Sequence, residues 1–174
     1  YGYGAVVQHL RASATAVAGV ISFGDVVLFS DGEQHRRATV DSVAPGSAQL
    51  LQLVDDHVLW AEGESEVRLA HASADQETEI FHEIPGVRLI GLSTDGNDIA
   101  WAQCYGWNGS TCERFELWTA PYTRDAAALA PRMVLEEYGG IARGVVGGGR
   151  YVEQRGRDRV EATNLATGDI TTYD

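Results

Sequence analysis

The chain has 174 residues, of which 44% are hydrophobic, enough apolar side chains for one sizeable core and one domain spanning 1–174. Its 25 acidic residues outnumber 13 basic ones for a net charge of −12, a surface that repels phosphate backbones and anionic lipid and so argues against nucleic-acid partners. The longest apolar run, around Thr15–Ile21, is too short to cross a bilayer, and no membrane insertion is expected. All the basic residues are Arg, the bias of a GC-rich genome, which reads as bacterial. The sequence opens at Tyr1 without a Met or a signal peptide, as a processed, tagged or excised protein would.

In chain order, short strand-like runs are broken by Gly, Asp, Asn and Pro. An opening strand is expected at Ala5–Leu10. Hairpins follow at Val17–Phe29, Ala48–Trp60, Arg88–Trp101 and Ala142–Gln154, turning at Phe23-Gly24-Asp25, Asp55-Asp56, Asp95-Gly96-Asn97 and Gly147-Gly148-Gly149. Third strands show period-two alternation. In EVRLAHA, Val67, Leu69 and His71 oppose Arg68 and Ala70; in RFELWTA, Phe115, Leu117 and Thr119 oppose Arg114, Glu116 and Trp118. Fourth strands are expected at Thr78–Glu83, Arg132–Glu137 and Asp169–Tyr173. The first unit lacks one unless Ala5–Leu10 fills that edge. The one helical candidate, Arg124–Leu129, is short and stopped by Pro131.

Matching positions Val27, Leu59, Ala100 and Val152 lie 32, 41 and 52 residues apart. The middle value fits a four-stranded propeller blade of roughly 40–45 residues. The expected fold is all-β: a β-propeller of about four blades or a propeller fragment, with a β-sandwich as runner-up. Open strand edges need cover, so four blades close on themselves, the chain pairs with a copy of itself as a homo-oligomer, or the remainder of a longer chain completes the ring. Ala5–Leu10 and Asp169–Tyr173 are candidates for a closing pair within one blade.

Cys104 and Cys112 share the segment WAQCYGWNGSTCERFELW. A three-residue loop of Trp107, Asn108 and Gly109, with Gly109 left-handed, places them opposite one another at bonding distance. The expected disulfide implies export, to a secreted or periplasmic location. Two thiols alone do not make a zinc site.

The segment Ser93–Trp101 (STDGNDIAW) resembles the Ser-Pro-Asp-Gly signature and following apolar strand of TolB-type, WD-like propeller repeats, with Thr94 where that family has Pro. Asn164–Asp174 (NLATGDITTYD) is similar to the turn joining the two outer strands of such blades, with Asn164 in place of Asp. The resemblance covers the second half of the chain best. It implies propeller blades and no catalysis.

No G-x-S-x-G, Walker loop, H-E-x-x-H or Cys-His cluster is present, so no catalytic residue, metal or cofactor is nominated. Gly139–Gly149 runs into a strand rather than a helix, without the helix N-terminus of a phosphate cradle. His9, His35, His57, His71 and His82 are scattered. Asp55, Asp56 and His57 offer metal-type ligands, or the only residues for a self-contained propeller enzyme; as plain turn chemistry they form an acidic bend with an exposed His. Asp95, Asn97 and Asp98 read as a turn lacking the distant Glu of an EF-hand.

Tyr105, Trp107 and Asn108 are the candidate contact residues: an aromatic at a hairpin tip makes a platform for a sugar or a protein, unless Trp107 folds back over the hairpin. Asn108-Gly109-Ser110 also matches a glycosylation sequon but reads as the turn. The expected function is a non-catalytic module binding a protein or carbohydrate ligand through its loops. The alternative is the propeller portion of a larger, prolyl-oligopeptidase-like hydrolase whose catalytic domain lies outside this chain. Whether the chain is an enzyme is left open, with the non-enzyme reading ahead.

Overall fold

A computed structural model describes residues 7–13, 16–21, 26–30, 33–36, 51–62, 67–73, 79–84, 88–108, 111–140, 144–155 and 157–173. The strands divide into two compact units, 1–86 and 87–174, each holding two four-stranded antiparallel sheets. In the first unit, one sheet runs β1 (Val7–Ala12), β2 (Ala16–Ile21), β3 (Val26–Ser30) and β4 (Glu33–Arg36). The next runs β5 (Leu51–Val54), β6 (His57–Glu62), β7 (Val67–Ala72) and β8 (Glu79–Ile84).

The second unit begins with β9 (Arg88–Thr94), β10 (Asp98–Trp107), β11 (Cys112–Pro121) and β12 (Arg132–Gly140). Its other sheet comprises β13 (Gly144–Gly147), β14 (Arg150–Arg155), β15 (Arg159–Asn164) and β16 (Ile170–Tyr173). In all four sheets every strand pairs with its sequence neighbour, the meander expected of hairpin-rich sequence. Arg124–Leu129 contributes one 3-10 turn, Ala126–Ala128, whose first N–H groups are served by the Asp125 carboxylate.

Two strand assignments need correction. The hairpin at Val17–Phe29 forms strands two and three of its sheet, because Val7–Ala12 precedes it and pairs with β2. Val27 is therefore on a third strand while Leu59, Ala100 and Val152 are on second strands, which accounts for the uneven repeat spacing. The proposed closing pair does not form: β1 belongs to the first sheet and β16 to the fourth, paired with β15.

Within each unit, small residues of one sheet receive large residues of the next. In the first, Ala16 and Ala18 cluster with Leu51, Val58 and Trp60. In the second, Ala100 and Leu117 cluster with Val146, Tyr151 and Leu165, with Val134 and Leu135 at the margin. Gly144 is required at this second contact, since a Cβ there would stand 2.6 Å from Tyr151 Cζ and 2.5 Å from the Val152 carbonyl oxygen.

Turns do more than reverse the chain. Asp95 Oδ1 accepts from the N–H groups of Asn97 and Asp98, while its Oδ2 accepts from Gly148 N–H at 3.0 Å, on the neighbouring sheet. Ser93 Oγ accepts from Val146 N–H at 2.9 Å. The segment resembling the repeat signature is thus a clasp between sheets. Partial burial acts to raise the Asp95 pKa, but the N–H groups of Asp98, Asn97 and Gly148 outweigh it and hold the carboxyl below its ordinary value.

Candidate binding surface on the third sheet

Strand β10 alternates, with Ala100, Ala102 and Cys104 on one face and Trp101, Gln103 and Tyr105 on the other. Register carries the second face across the sheet: Tyr105 pairs with Arg114 and Arg114 with Tyr138. The next row is Gln103, Glu116 and Glu136, and the one after is Trp101, Trp118 and Met133.

Glu116 organises this face. Its Oε2 accepts from Tyr105 Oη at 3.0 Å and from Trp118 Nε1 at 2.9 Å, and its Oε1 lies 3.5 Å from Arg114 Nη2. A buried carboxylate with three donors is fully satisfied, so it holds the side chains that surround it in fixed rotamers. Arg114 lies 4.0 Å above the Tyr105 ring centroid and reaches Glu136 at 3.4 Å, while Tyr138 Oη donates to Glu136 at 3.0 Å. Desolvation, followed by the hydrogen bond and charge of Glu116, pushes the Tyr105 phenol pKa up. At the outer rim Tyr138 is 76% and Met133 46% exposed. The face is therefore rigid beneath and open above.

The hairpin tip is built differently. Cys104 and Cys112 form a disulfide with Cα atoms 5.5 Å apart, as expected. They are not register partners, however: Cys104 pairs with Phe115 and Cys112 with Trp107. The chain reverses between Asn108 and Thr111, which bond backbone to backbone at 3.2 Å, so the register shifts from the expected one. Gly106, at φ 61°, then breaks the pleat and lets the sulfurs meet. Gly109, the expected left-handed residue, lies outside the described residues.

Tyr105, Trp107 and Asn108 consequently have separate surroundings. Tyr105 is half-buried on the Glu116 face. Trp107 folds back against the cluster of Ala102, Cys104, Cys112 and Phe115, with the Arg88 guanidinium 4.9 Å from its ring. Asn108 is exposed, and its side chain is engaged with Thr111, donating to Oγ1 and accepting from the backbone N–H. Arg114, Trp118, Met133 and Tyr138 join Tyr105 only through register; the alternation of RFELWTA already set Arg114, Glu116 and Trp118 on one face.

The other nominated residues are structural. Asp55 forms the turn with φ 53°. His57 is fully buried rather than exposed, with Nε2 2.7 Å from His71 Nδ1, because the strand that begins at this residue turns it into the core. Among the described residues no group of three or more His, Cys, Asp or Glu side chains is arranged to hold a metal ion. No helix among them is long and apolar enough to cross a membrane.

No protein-family model matches the sequence, and a search of curated proteins returns no match. Solved structures do match. The chain aligns over 98% of its length with 32% of an acylaminoacyl peptidase in complex with Z-Gly-Gly-Phe-chloromethyl ketone, at 10% identity and a TM-score of 0.61. It also aligns with the β-propeller domain of Myceliophteria thermophila Cps50 (Swd1) over 97% of this chain and 54% of that one (12% identity, TM-score 0.46). For the WD40 β-propeller domain of Doa1 the shares are 100% and 70% (14% identity, TM-score 0.43). The chain thus spans about a third to about a half of the first two. With its four-stranded meanders in succession, it is an all-β protein of the β-propeller type.

Proposed function

We propose that the chain is a non-catalytic β-propeller module, a single domain over 1–174, that binds a protein partner through the third sheet. The observation that carries this reading is the row Tyr105, Arg114 and Tyr138 held by Glu116, with Tyr138 and Met133 open at the rim. Tyr, Trp, Met and Arg are the residues that protein interfaces favour, and prearranged side chains lower the entropy cost of binding. Arg114 covers one face of the Tyr105 ring, which favours a protein over a sugar that would stack there. The disulfide supports a secreted or periplasmic location.

The test is photo-crosslinking from position 138 in the chain's native setting, followed by binding measurements on the captured protein. Tyr138→Ala with Met133→Ala should weaken binding about tenfold or more. Undiminished binding by that variant refutes the assignment. Binding to an oligosaccharide array that Trp107→Ala abolishes would replace the protein reading with the carbohydrate one.

A second reading is the propeller portion of a larger hydrolase. The alignment with part of acylaminoacyl peptidase supports it. A Gly-x-Ser-x-Gly elbow encoded contiguously with this chain would favour it; a gene ending at Asp174 would remove it.

A further inference from the structure

The two faces of the fourth sheet differ in kind. One carries Val146, Tyr151, Glu153, Glu161 and Arg155 and is turned to the third sheet, where Arg155 bonds Glu137 at 2.6 Å. On the other, register aligns Val145 with Val152, Gln154 with Val160 and Val160 with Tyr173. Here Val145 is 63%, Tyr173 52% and Val160 37% exposed. Arg150 shares this face, its Nη1 donating to Tyr173 Oη at 3.4 Å. None of the residues that the four strands place on it is acidic, in a chain with 25 carboxylates.

We propose that this face is a self-complementary interface on which a second copy of the chain docks, sheet against sheet, about a two-fold axis. Charge selects the occupant. At −12 per chain, two copies repel through most of their surface, and the carboxylate-free face is where they approach at least electrostatic cost. Its composition, valines and a tyrosine with one Arg, is that of an interface core depleted in acid. Face-to-face packing of two twisted sheets is a standard solution for burying such a surface, and an isologous contact closes at the dimer.

The experiment is light scattering on the purified 174-residue chain across a dilution series. The expected result is a concentration-dependent species of twice the 18.8 kDa chain mass, strengthened by added salt. Val160→Asp and, separately, Tyr173→Glu should raise the dimer dissociation constant about 10- to 100-fold while leaving the melting temperature of the dissociated chain unchanged. A monomer at all concentrations overturns the proposal, as does a dimer indifferent to both substitutions. A mass that grows without limit overturns the two-fold arrangement in favour of head-to-tail association. The outcome is independent of whether a partner binds at Tyr138.

Discussion

Between the first and second sheets Trp60 packs with Ala16 and Ala18, and Ser13 Oγ donates to the Asp55 carbonyl in the turn of the second sheet at 2.6 Å. Between the third and fourth, Tyr151 packs with Ala100 and Leu117, and the turn of the later sheet is held through its N–H groups by Ser93 and Asp95. Both junctions set an aromatic residue among small or aliphatic ones and tie it with a serine. The polarity of the tie is reversed, though, and only the second adds a carboxylate. Propeller-type stacking therefore constrains shape more tightly than chemistry: the gap between sheets must be filled, while several hydrogen-bonding schemes can hold the turn.

That comparison is open to direct attack. The largest effect is expected at Trp60, fully buried in the first junction. Trp60→Ala should cost about 3–5 kcal/mol, measured by urea unfolding, since the surrounding alanines are too small to close the gap. A loss below about 1 kcal/mol would mean that shape filling is not what holds that junction.

The ties come next. Asp95→Ala removes acceptors for three backbone N–H groups and should cost about 1–3 kcal/mol, whereas Ser13→Ala, losing a bond to an exposed carbonyl, should cost at most about 1 kcal/mol. Equal losses would show that the carboxylate adds nothing beyond what a serine supplies.

The smallest and most diagnostic effect concerns pH. Glu153 is only 3% exposed in the second junction; burial raises its pKa, Arg155 opposes this, and Glu137 and Glu161 raise it further. A folded-state value above the unfolded one favours the protonated form in the fold. Its stabilising contribution is thus complete below the ordinary glutamate value of 4.5 and is lost as pH rises through the raised value. Melting temperatures across that window should fall in the native chain more steeply than in Glu153→Gln, where the neutral amide removes this component. Parallel profiles would mean that Glu153 stays ionised throughout.

The strands were legible because Gly, Asp and Asn punctuate runs of alternating apolar residues, and such turns reverse a chain locally whatever surrounds them. The Cys104–Cys112 bond was legible for a related reason, since both thiols lie in one hairpin. Its register was not. A loop drawn around Trp107, Asn108 and Gly109 and one closed between Asn108 and Thr111 look alike in sequence, and only the pairing of Tyr105 with Arg114 distinguishes them.

The candidate surface shows the same division. Tyr105 was identifiable as an aromatic on an alternating strand, but Tyr138 lies 33 positions further along and reaches it only through Arg114, two register pairs away. His57 was misjudged because a turn residue and the first residue of a buried strand are adjacent in sequence, and burial is a property of what packs against the strand. The sequence by itself determined the strand-and-turn grammar, the hairpin holding the disulfide and the acidic charge, all local or additive quantities. Register, the partition of each sheet into covered and open faces, and the grouping of Tyr105 with Arg114 and Tyr138 were decided only in three dimensions, because pairing and packing join residues that sequence distance keeps apart.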